Sequence, residues 1–248
     1  MQPYQLYHLF CNTARDCGYP LPSQATILDL GCGNGNVVQA CRDHGIHAFG
    51  CDIKFKPGPH AAELERKGWM RKIEPGQYRI PFEDETFDFI MSFMVFEHIR
   101  DYPTTLQEIC RVLRPQGVNL NIFPSRYTPI EPHVFVPLAT VFQQYPWLRL
   151  WASLGVRKAN QKGMSARETA AENYHYLNHY TNYLNRKQLE DYFCACFCRV
   201  EFATQAYLKN SRRGRLIYAL SRYLPFLPDL VSTFRTRVVL LRKACDDQ

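Results

Sequence analysis

The sequence predicts an α/β protein, with mainly parallel strands covered by helices on both faces. Short apolar runs alternate with helical patterns between residues 25 and 123. The helical patterns end in Gly or Pro-x-Gly just before the next run. The first run leads straight into a glycine loop, "LDLGCGNGNVV".

The elements follow in order. "MQPYQLYHLFCNTARD" lacks a basic stretch followed by an unbroken apolar one, so it reads as a leading helix and not a targeting peptide. Strands are expected at 25–31, 47–53, 87–93 and 117–123. "NVVQACRDHG" and "TTLQEICRVLRPQG" supply helical crossovers between them. After Phe123 the turn-rich "PSRYTPIEPH" gives way to helices crowded with Tyr and Trp, which makes 124–183 an insertion over the sheet. A helix at 185–193, a strand at 199–204, a second mostly helical insertion at 205–234 and a closing strand at 236–244 complete the chain. With no repeat or linker, 1–248 reads as a single domain.

Composition narrows the class without fixing it. A chain of 248 residues, 46% hydrophobic and 21% charged, carries enough apolar material for one core. Its net charge of +7 is compatible with nucleic acid, phospholipid headgroups or a phosphorylated substrate, and selects none of them. Ten cysteines scattered through apolar runs, with no secretory signal, read as reduced buried thiols of a cytoplasmic protein. The longest apolar stretch, Val134 to Val156, is broken by Gln143, Gln144, Pro146 and Arg149, so no spanning helix is expected. "CACFC" lacks zinc-knuckle spacing, and no metal site is expected.

A strand ending in a glycine loop that opens a helix brings backbone N–H groups and the helix N-terminus close to a ligand. A Walker loop would need Gly-Lys-Ser/Thr, and no Lys stands between Gly31 and Arg42. Gly31, Gly33 and Gly35 read G-x-G-x-G, with Asn36 where a dinucleotide loop has its third glycine. Asp52 ends the second strand roughly 20 residues on, the separation at which a carboxylate holds ribose hydroxyls.

These residues carry a resemblance. "ILDLGCGNGN" resembles the first motif of class I S-adenosylmethionine-dependent methyltransferases, of the type 11-like kind. "RIPFEDETFDFIMSFMVFEHI" and "EICRVLRPQGVNLNI" are similar to the segments that follow it in that family. The resemblance covers about residues 24 to 123 and implies a Rossmann-like seven-stranded methyltransferase sheet, with mostly helical insertions after the fifth and sixth strands. It implies S-adenosylmethionine as cofactor and S-adenosylhomocysteine as product. Asp29 would lie near the methionine end, Gly31, Gly33 and Gly35 along the cofactor, and Asp52 with Ile53 at the ribose. Ser92 and Phe93 would flank the cofactor at the end of the fourth strand. Relatives carry an acidic residue before the Pro-Phe pair, whereas this chain has "EPGQYRIPF", which leaves Gln77 and Tyr78 for the adenine.

Methyl transfer from a sulfonium is an in-line displacement, so an acceptor hydroxyl must be aligned and deprotonated. The exits of the fourth and fifth strands should provide this, with Ser92, Phe93, Glu97 and His98 on one and Pro124 to His133 on the next. His133, oriented by Glu131, is a candidate general base. His98 competes with it, and either could instead be a structural histidine; Glu97 reads as a helix-surface or structural carboxylate. Arg126, Tyr127, Glu131, Tyr180, Asn182 and Tyr183 interleave aromatic and polar groups as a sugar ring requires, although a packed aromatic helix pair would look the same.

"IFPSRYTPIEPHVFVPLA" with "HYTNYL" resembles, more weakly, methyltransferases of bacterial surface-polysaccharide gene sets that act on sugars of O-antigens. That resemblance implies O-methylation of a sugar hydroxyl in a glycan or lipid-linked precursor. Lys209 to Leu230 alternates basic and apolar residues and suits either the inner membrane face or a packed lid helix. Two other readings remain open. An RNA methyltransferase rests on net charge alone and lacks an Asn-Pro-Pro-Tyr-like motif, so no nucleic acid is expected. A non-catalytic module would bind the cofactor and use its insertions as an interface.

Overall fold

The computed structural model describes residues 2–74, 76 and 78–243. Helix α1 (Pro3–Asp16) precedes β1 (Thr26–Leu30), α2 (Asn36–Asp43), β2 (His47–Asp52), α3 (Ala61–Arg66) and β3 (Met70–Lys72). Then come β4 (Phe87–Phe93), α4 (Tyr102–Val112), β5 (Leu113–Pro124), α5 (Tyr145–Ser153), α6 (Ala166–Tyr180) and α7 (Arg186–Cys194). The chain continues through β6 (Arg199–Phe202), α8 (Thr204–Asn210), α9 (Arg215–Ser221), α10 (Leu227–Phe234) and β7 (Thr236–Arg242).

The strands form one seven-stranded sheet in the order β3-β2-β1-β4-β5-β7-β6. β1 pairs parallel with β2 and β4, β2 with β3, and β4 with β5, whereas β7 runs antiparallel to both β5 and β6. The carboxyl ends of β1, β2, β4 and β5 therefore share one edge, where ligands of open α/β sheets bind. The order of β1 and β4, adjacent in space but separated by β2 and β3 in sequence, sets the crevice at that edge.

Period-two alternation divides the strand side chains between two cores. Leu28, Leu30, Ile90, Val239 and Leu241 pack with Leu106 and Ile109 of α4 and Leu189 and Phe193 of α7. Ile27, Phe89, Met91, Val238 and Leu240 face the other way, against Leu9, Phe10 and Ala14 of α1. Each such fully buried side chain contributes about 1.5–3 kcal/mol. A smaller core under α5 and α6, built on Val134, Val136, Leu148, Ala170 and Leu177, stabilises the insertion over the sheet.

Several details depart from the sequence reading. Helix α4 ends at Val112, and "LRPQG" is the start of the twelve-residue strand β5 instead of the end of a helix. Pro115 holds Arg114 extended and cannot continue a helix, so the chain passes directly from helix to strand. Strand β3 is three residues long with two of them exposed, too short for an alternation signal. Ala244, included in the expected closing strand, lies outside the described residues. Cys32, Cys41 and Cys51 are buried free thiols as expected, but Cys194 is exposed and Cys198 is disulfide-bonded. Among the described residues, no helix is long and apolar enough to cross a membrane.

Gly50 in β2 lies directly against helix α2 and the glycine loop. A Cβ there would stand 2.7 Å from Cys32 Cβ and 2.9 Å from Val38 Cγ2, both buried. Gly50→Ala is expected to cost about 1–3 kcal/mol of stability through overpacking. Differential scanning calorimetry should show a midpoint lowered by roughly 2–10 °C.

Candidate active site

The glycine loop is shaped by backbone conformations that side chains disfavour. Gly31, Gly33 and Gly35 have φ of +81°, +57° and +76°. At Gly31 a Cβ would also run into Val95 Cγ2 at 2.3 Å, so the loop after β1 lies directly against the chain leaving β4. At Gly33 the nearest atom to a Cβ is Lys56 Cδ at 3.6 Å, which leaves the loop backbone open to a ligand. The Gly31 and Cys32 N–H groups donate to the Cys51 carbonyl at 2.8 and 3.1 Å, fastening the loop to the end of β2.

Asp52 is tied into the same loop. Its Oδ2 accepts from the Gly33 N–H, 19 positions earlier, at 2.9 Å, and its Oδ1 from the Lys54 N–H at 3.2 Å. The carboxylate is thereby aimed across the loop with lone pairs still available. Asp29 is 8% exposed in β1, and burial, then the charge of Asp52, push its carboxyl up to about 7. Ile53 is 68% exposed beside them. A buried acid, a second carboxylate and an open glycine backbone on one edge could hold a ligand that is cationic at one end and carries ribose at the other.

The remaining cofactor candidates are distributed differently. Tyr78 is half-buried against the core that includes Phe82 and Ile80. Gln77 lies outside the described residues. Ser92 is buried, and its hydroxyl donates to Asn121 Oδ1 at 2.7 Å inside the β4–β5 pair. Asn119 and Asn121 complete that network, so the Ser92 hydroxyl is engaged within the sheet. Phe93 is 41% exposed at the strand end and lines a cleft of ≈430 Å³ with Tyr207, Arg212, Arg213, Ile217 and Arg235.

Beyond β4 the chain turns sharply. Met94 has φ of +59°, outside the usual range for a side chain, and a 3₁₀ turn, Phe96–His98, follows. Phe96 and Ile99 anchor that turn in the core and carry Glu97 inward with them. The Glu97 side chain is fully buried, and neither of its oxygens has a hydrogen-bond partner among the described residues. Burial pushes its carboxyl up to about 7, and the charge of Glu131 adds to this. Of the two expected places for Glu97, helix surface or structural, the inward turn excludes the surface one.

The other wall comes from the loop after β5. Glu131, fully buried, accepts from the His133 N–H at 2.7 Å, the Val134 N–H, His133 Nδ1 at 2.7 Å and the Tyr183 hydroxyl at 2.6 Å. Burial opposes its ionisation, but the hydrogen bonds from His133 and Tyr183 outweigh burial and hold the carboxyl below the usual range. Burial and Glu131 together push the Tyr183 hydroxyl far up, so it stays a donor.

His98 and His133 meet with ring centroids 4.9 Å apart. His98 Nδ1 lies 2.6 Å from the Tyr180 carbonyl and must donate to it, and burial lowers its pKa. Each imidazole thus keeps its Nδ1 proton engaged and leaves Nε2 unprotonated, a tautomer assigned from the hydrogen-bond partners. Tyr176 stands 5.5 Å from His133 and stacks at 5.7 Å on Tyr180, which is 55% exposed.

Other acceptor candidates are engaged with the protein. The Asn182 side-chain amide donates to the Ile99 carbonyl at 2.9 Å and its backbone N–H to the Glu97 carbonyl at 2.6 Å. Arg126 donates to the Tyr183 carbonyl, and Tyr127 is 39% exposed. The structure therefore brings together His98, His133, Glu131, Tyr183 and Tyr180, and adds Glu97 and Tyr176. No short sequence pattern signals that Glu97 points inward, because this follows from Phe96 and Ile99 docking in the core.

The sheet order, the glycine loop after β1 and the acidic end of β2 define a class I methyltransferase, with S-adenosylmethionine as its cofactor. Residues 4–194 match the model of a methyltransferase-domain family, and the chain belongs to that family. It is 31% identical over 119 residues to a demethylmenaquinone methyltransferase of Streptomyces griseus subsp. griseus, spanning 48% of each chain. It is 33% identical over 132 residues to the O-methyltransferase rstn1 of Aspergillus nomiae, spanning 48% of this chain and 56% of that one. The chain thus spans about half the length of the curated relatives it matches. Its fold is similar to that of Haemonchus contortus phosphoethanolamine N-methyltransferase 2, with a TM-score of 0.51, 14% identity, and 96% of this chain and 53% of that one covered.

Proposed function

We propose that the chain transfers the methyl group of S-adenosylmethionine to a hydroxyl of a polyhydroxylated acceptor, a sugar of a glycan or of its lipid-linked precursor. The observation that carries this is the pair of imidazoles, His98 and His133, 4.9 Å apart after the fourth and fifth strands, with Glu131 behind His133. The cofactor's sulfonium supplies an electrophilic methyl carbon. Gly31, Gly33 and Gly35 give it a side-chain-free wall, Asp52 accepts from ribose hydroxyls, and Asp29 faces its ammonium group.

His133 Nε2 receives the acceptor's proton. The imidazolium that forms is compensated by Glu131, whose position is fixed by Tyr183, whereas His98 has only the Tyr180 carbonyl behind it. The Tyr176–Tyr180 stack offers a flat apolar surface to a sugar ring. The O-methyltransferase relative supports oxygen as the acceptor atom.

The test is transfer of labelled methyl groups to a panel of sugars, nucleotide sugars and lipid-linked glycans, with the linkage analysed. Base-stable methyl ethers, and a rate lower by roughly 10²–10⁴ in His133→Asn, are expected. Label recovered as methyl esters or on nitrogen would overturn the reading.

Cofactor affinity should depend on pH through Asp29. An acid raised to about 7 is protonated below that pH and charged above it. Binding beside a cationic ammonium requires the charged form, so below pH 7 each bound cofactor expels a proton. The affinity should weaken by up to roughly tenfold per pH unit below 7 and level off above it. Calorimetry of the wild type and Asp29→Asn checks this, because the variant should lose the slope.

A specific observation favours an acceptor presented at a membrane. Leu216, Tyr223 and Phe226 are 70%, 82% and 53% exposed on and between α9 and α10, among Arg212, Arg213, Arg215 and Arg222. Apolar side chains flanked by cations suit an anionic bilayer surface. Sedimentation with vesicles should show binding that grows with the anionic lipid fraction, falls with salt and is lost in the double variant Leu216→Glu, Tyr223→Glu. Partition equal to that of the variant would remove the membrane reading and leave the chemistry intact.

A further inference from the structure

We propose that Glu97, His98 and His133 form a divalent-cation site of the transition-metal type. Each offers one ligand atom, and these atoms lie within 4.8 Å of one another. The proposal rests on the reading of this cluster as the place where the acceptor hydroxyl loses its proton, and names what the cluster holds while doing so.

Two independent observations point to a cation. The first is Glu97 itself, a carboxylate with no exposed surface and no hydrogen-bond partner on either oxygen among the described residues. Such a group is costly to bury without a compensating positive charge or donor. Its Oε1 is 3.9 Å from His98 Nε2, beyond hydrogen-bonding distance, so the imidazole does not satisfy it.

The second is the outer support. Metal-ligating histidines almost always donate their other ring N–H to a carboxylate or a backbone carbonyl, which fixes the tautomer and the ring orientation. Here His133 gives its Nδ1 proton to Glu131 and His98 gives its own to the Tyr180 carbonyl. That leaves Nε2 of each ring as its ligand atom, and His98 Nε2 lies 3.9 Å from Glu97 Oε1. Gathered within 4.8 Å of one another, the three groups make a set of ligand atoms suited to a cation.

The donor set also selects the ion. Two imidazoles and one carboxylate suit Zn²⁺, Mn²⁺ or Fe²⁺ better than Mg²⁺ or Ca²⁺, which prefer all-oxygen ligands. Bonds of about 2.1 Å would place the donors roughly 3–3.5 Å apart, so modest side-chain rotations close the site. Three protein ligands leave a position open, and the acceptor hydroxyl takes it.

With an ion bound, His133 Nε2 would serve as a ligand, and solvent would take the proton that the metal-free imidazole receives. Coordination lowers the hydroxyl's pKa and its proton leaves to solvent. The acceptor oxygen then forms a bond to the methyl carbon as the carbon–sulfur bond breaks and its electron pair stays on sulfur. No electrons are exchanged with the ion.

The experiment is calorimetric titration of the chelator-treated 248-residue chain with MnCl₂, ZnCl₂ and MgCl₂, each repeated on Glu97→Gln, His133→Asn and the control His175→Asn. His175 stacks on His179 on the surface of α6, where a stray ion would bind. S-adenosylmethionine affinity, measured on each protein, reports that the variant is folded. One equivalent of Mn²⁺ or Zn²⁺ is expected, weakened at least about tenfold in both cluster variants and unchanged in the control.

Absence of stoichiometric binding, or binding lost in His175→Asn and kept in Glu97→Gln, overturns the site. Methyl transfer that persists unchanged in chelator would overturn its catalytic use while leaving the acceptor reading standing. Cluster-dependent metal binding with no transfer to any hydroxyl would uphold the site and remove the acceptor reading.

Discussion

The architecture around the candidate site depends on one buried carboxylate. Glu131 has no exposed surface, and a lone charge there would cost several kcal/mol. Four donors converge on it instead: the N–H groups of His133 and Val134, the His133 ring and the Tyr183 hydroxyl. These come from two stretches some fifty positions apart, so the bond from Tyr183 spans 52 residues and binds the end of α6 to the loop after β5. The orientation of His133 and the closing of the space around Glu97 both follow from satisfying that single charge. Phe135 and Leu138, with φ of +60° and +55°, show that the loop is bent into place against its local preference.

Much of the fold was legible because it obeys local rules. The glycine loop announces itself by residue type, and Asp52 by its distance from Gly33; the structure joins the two by a direct hydrogen bond. Alternating strands declare themselves wherever both faces are buried, as in β1, β4 and β7. Strand β3 had no such signal, because only Met70 of its three residues is buried. The start of β5 was hidden by a Pro-x-Gly pattern that usually ends helices but here lies in an extended strand.

The candidate site was legible in its members and not in their relations. His98, Glu131 and His133 stand out by type and by their place after the fourth and fifth strands. That Glu97 turns inward depends on Met94 adopting a left-handed conformation and on Phe96 and Ile99 docking in the core, which no short pattern encodes. Ser92 and Asn182 look like ligand donors in sequence, yet each meets a partner on another segment, Asn121 and Ile99. Side chains of one type serve a ligand or the protein itself depending on which segments tertiary packing brings beside them.

The seam between the turn after β4 and the end of α6 has a further consequence. His98 donates to the Tyr180 carbonyl, Arg100 to those of Asn178 and His179, and Asn182 to those of Glu97 and Ile99. All of these bonds end on backbone carbonyls, so they hold two stretches of main chain together. The turn and the helix end therefore move as one rigid piece, and any opening toward an acceptor must come from elsewhere in the insertion. The conformational entropy of assembling that wall is lost when the chain folds, and a ligand arriving later meets a surface already ordered.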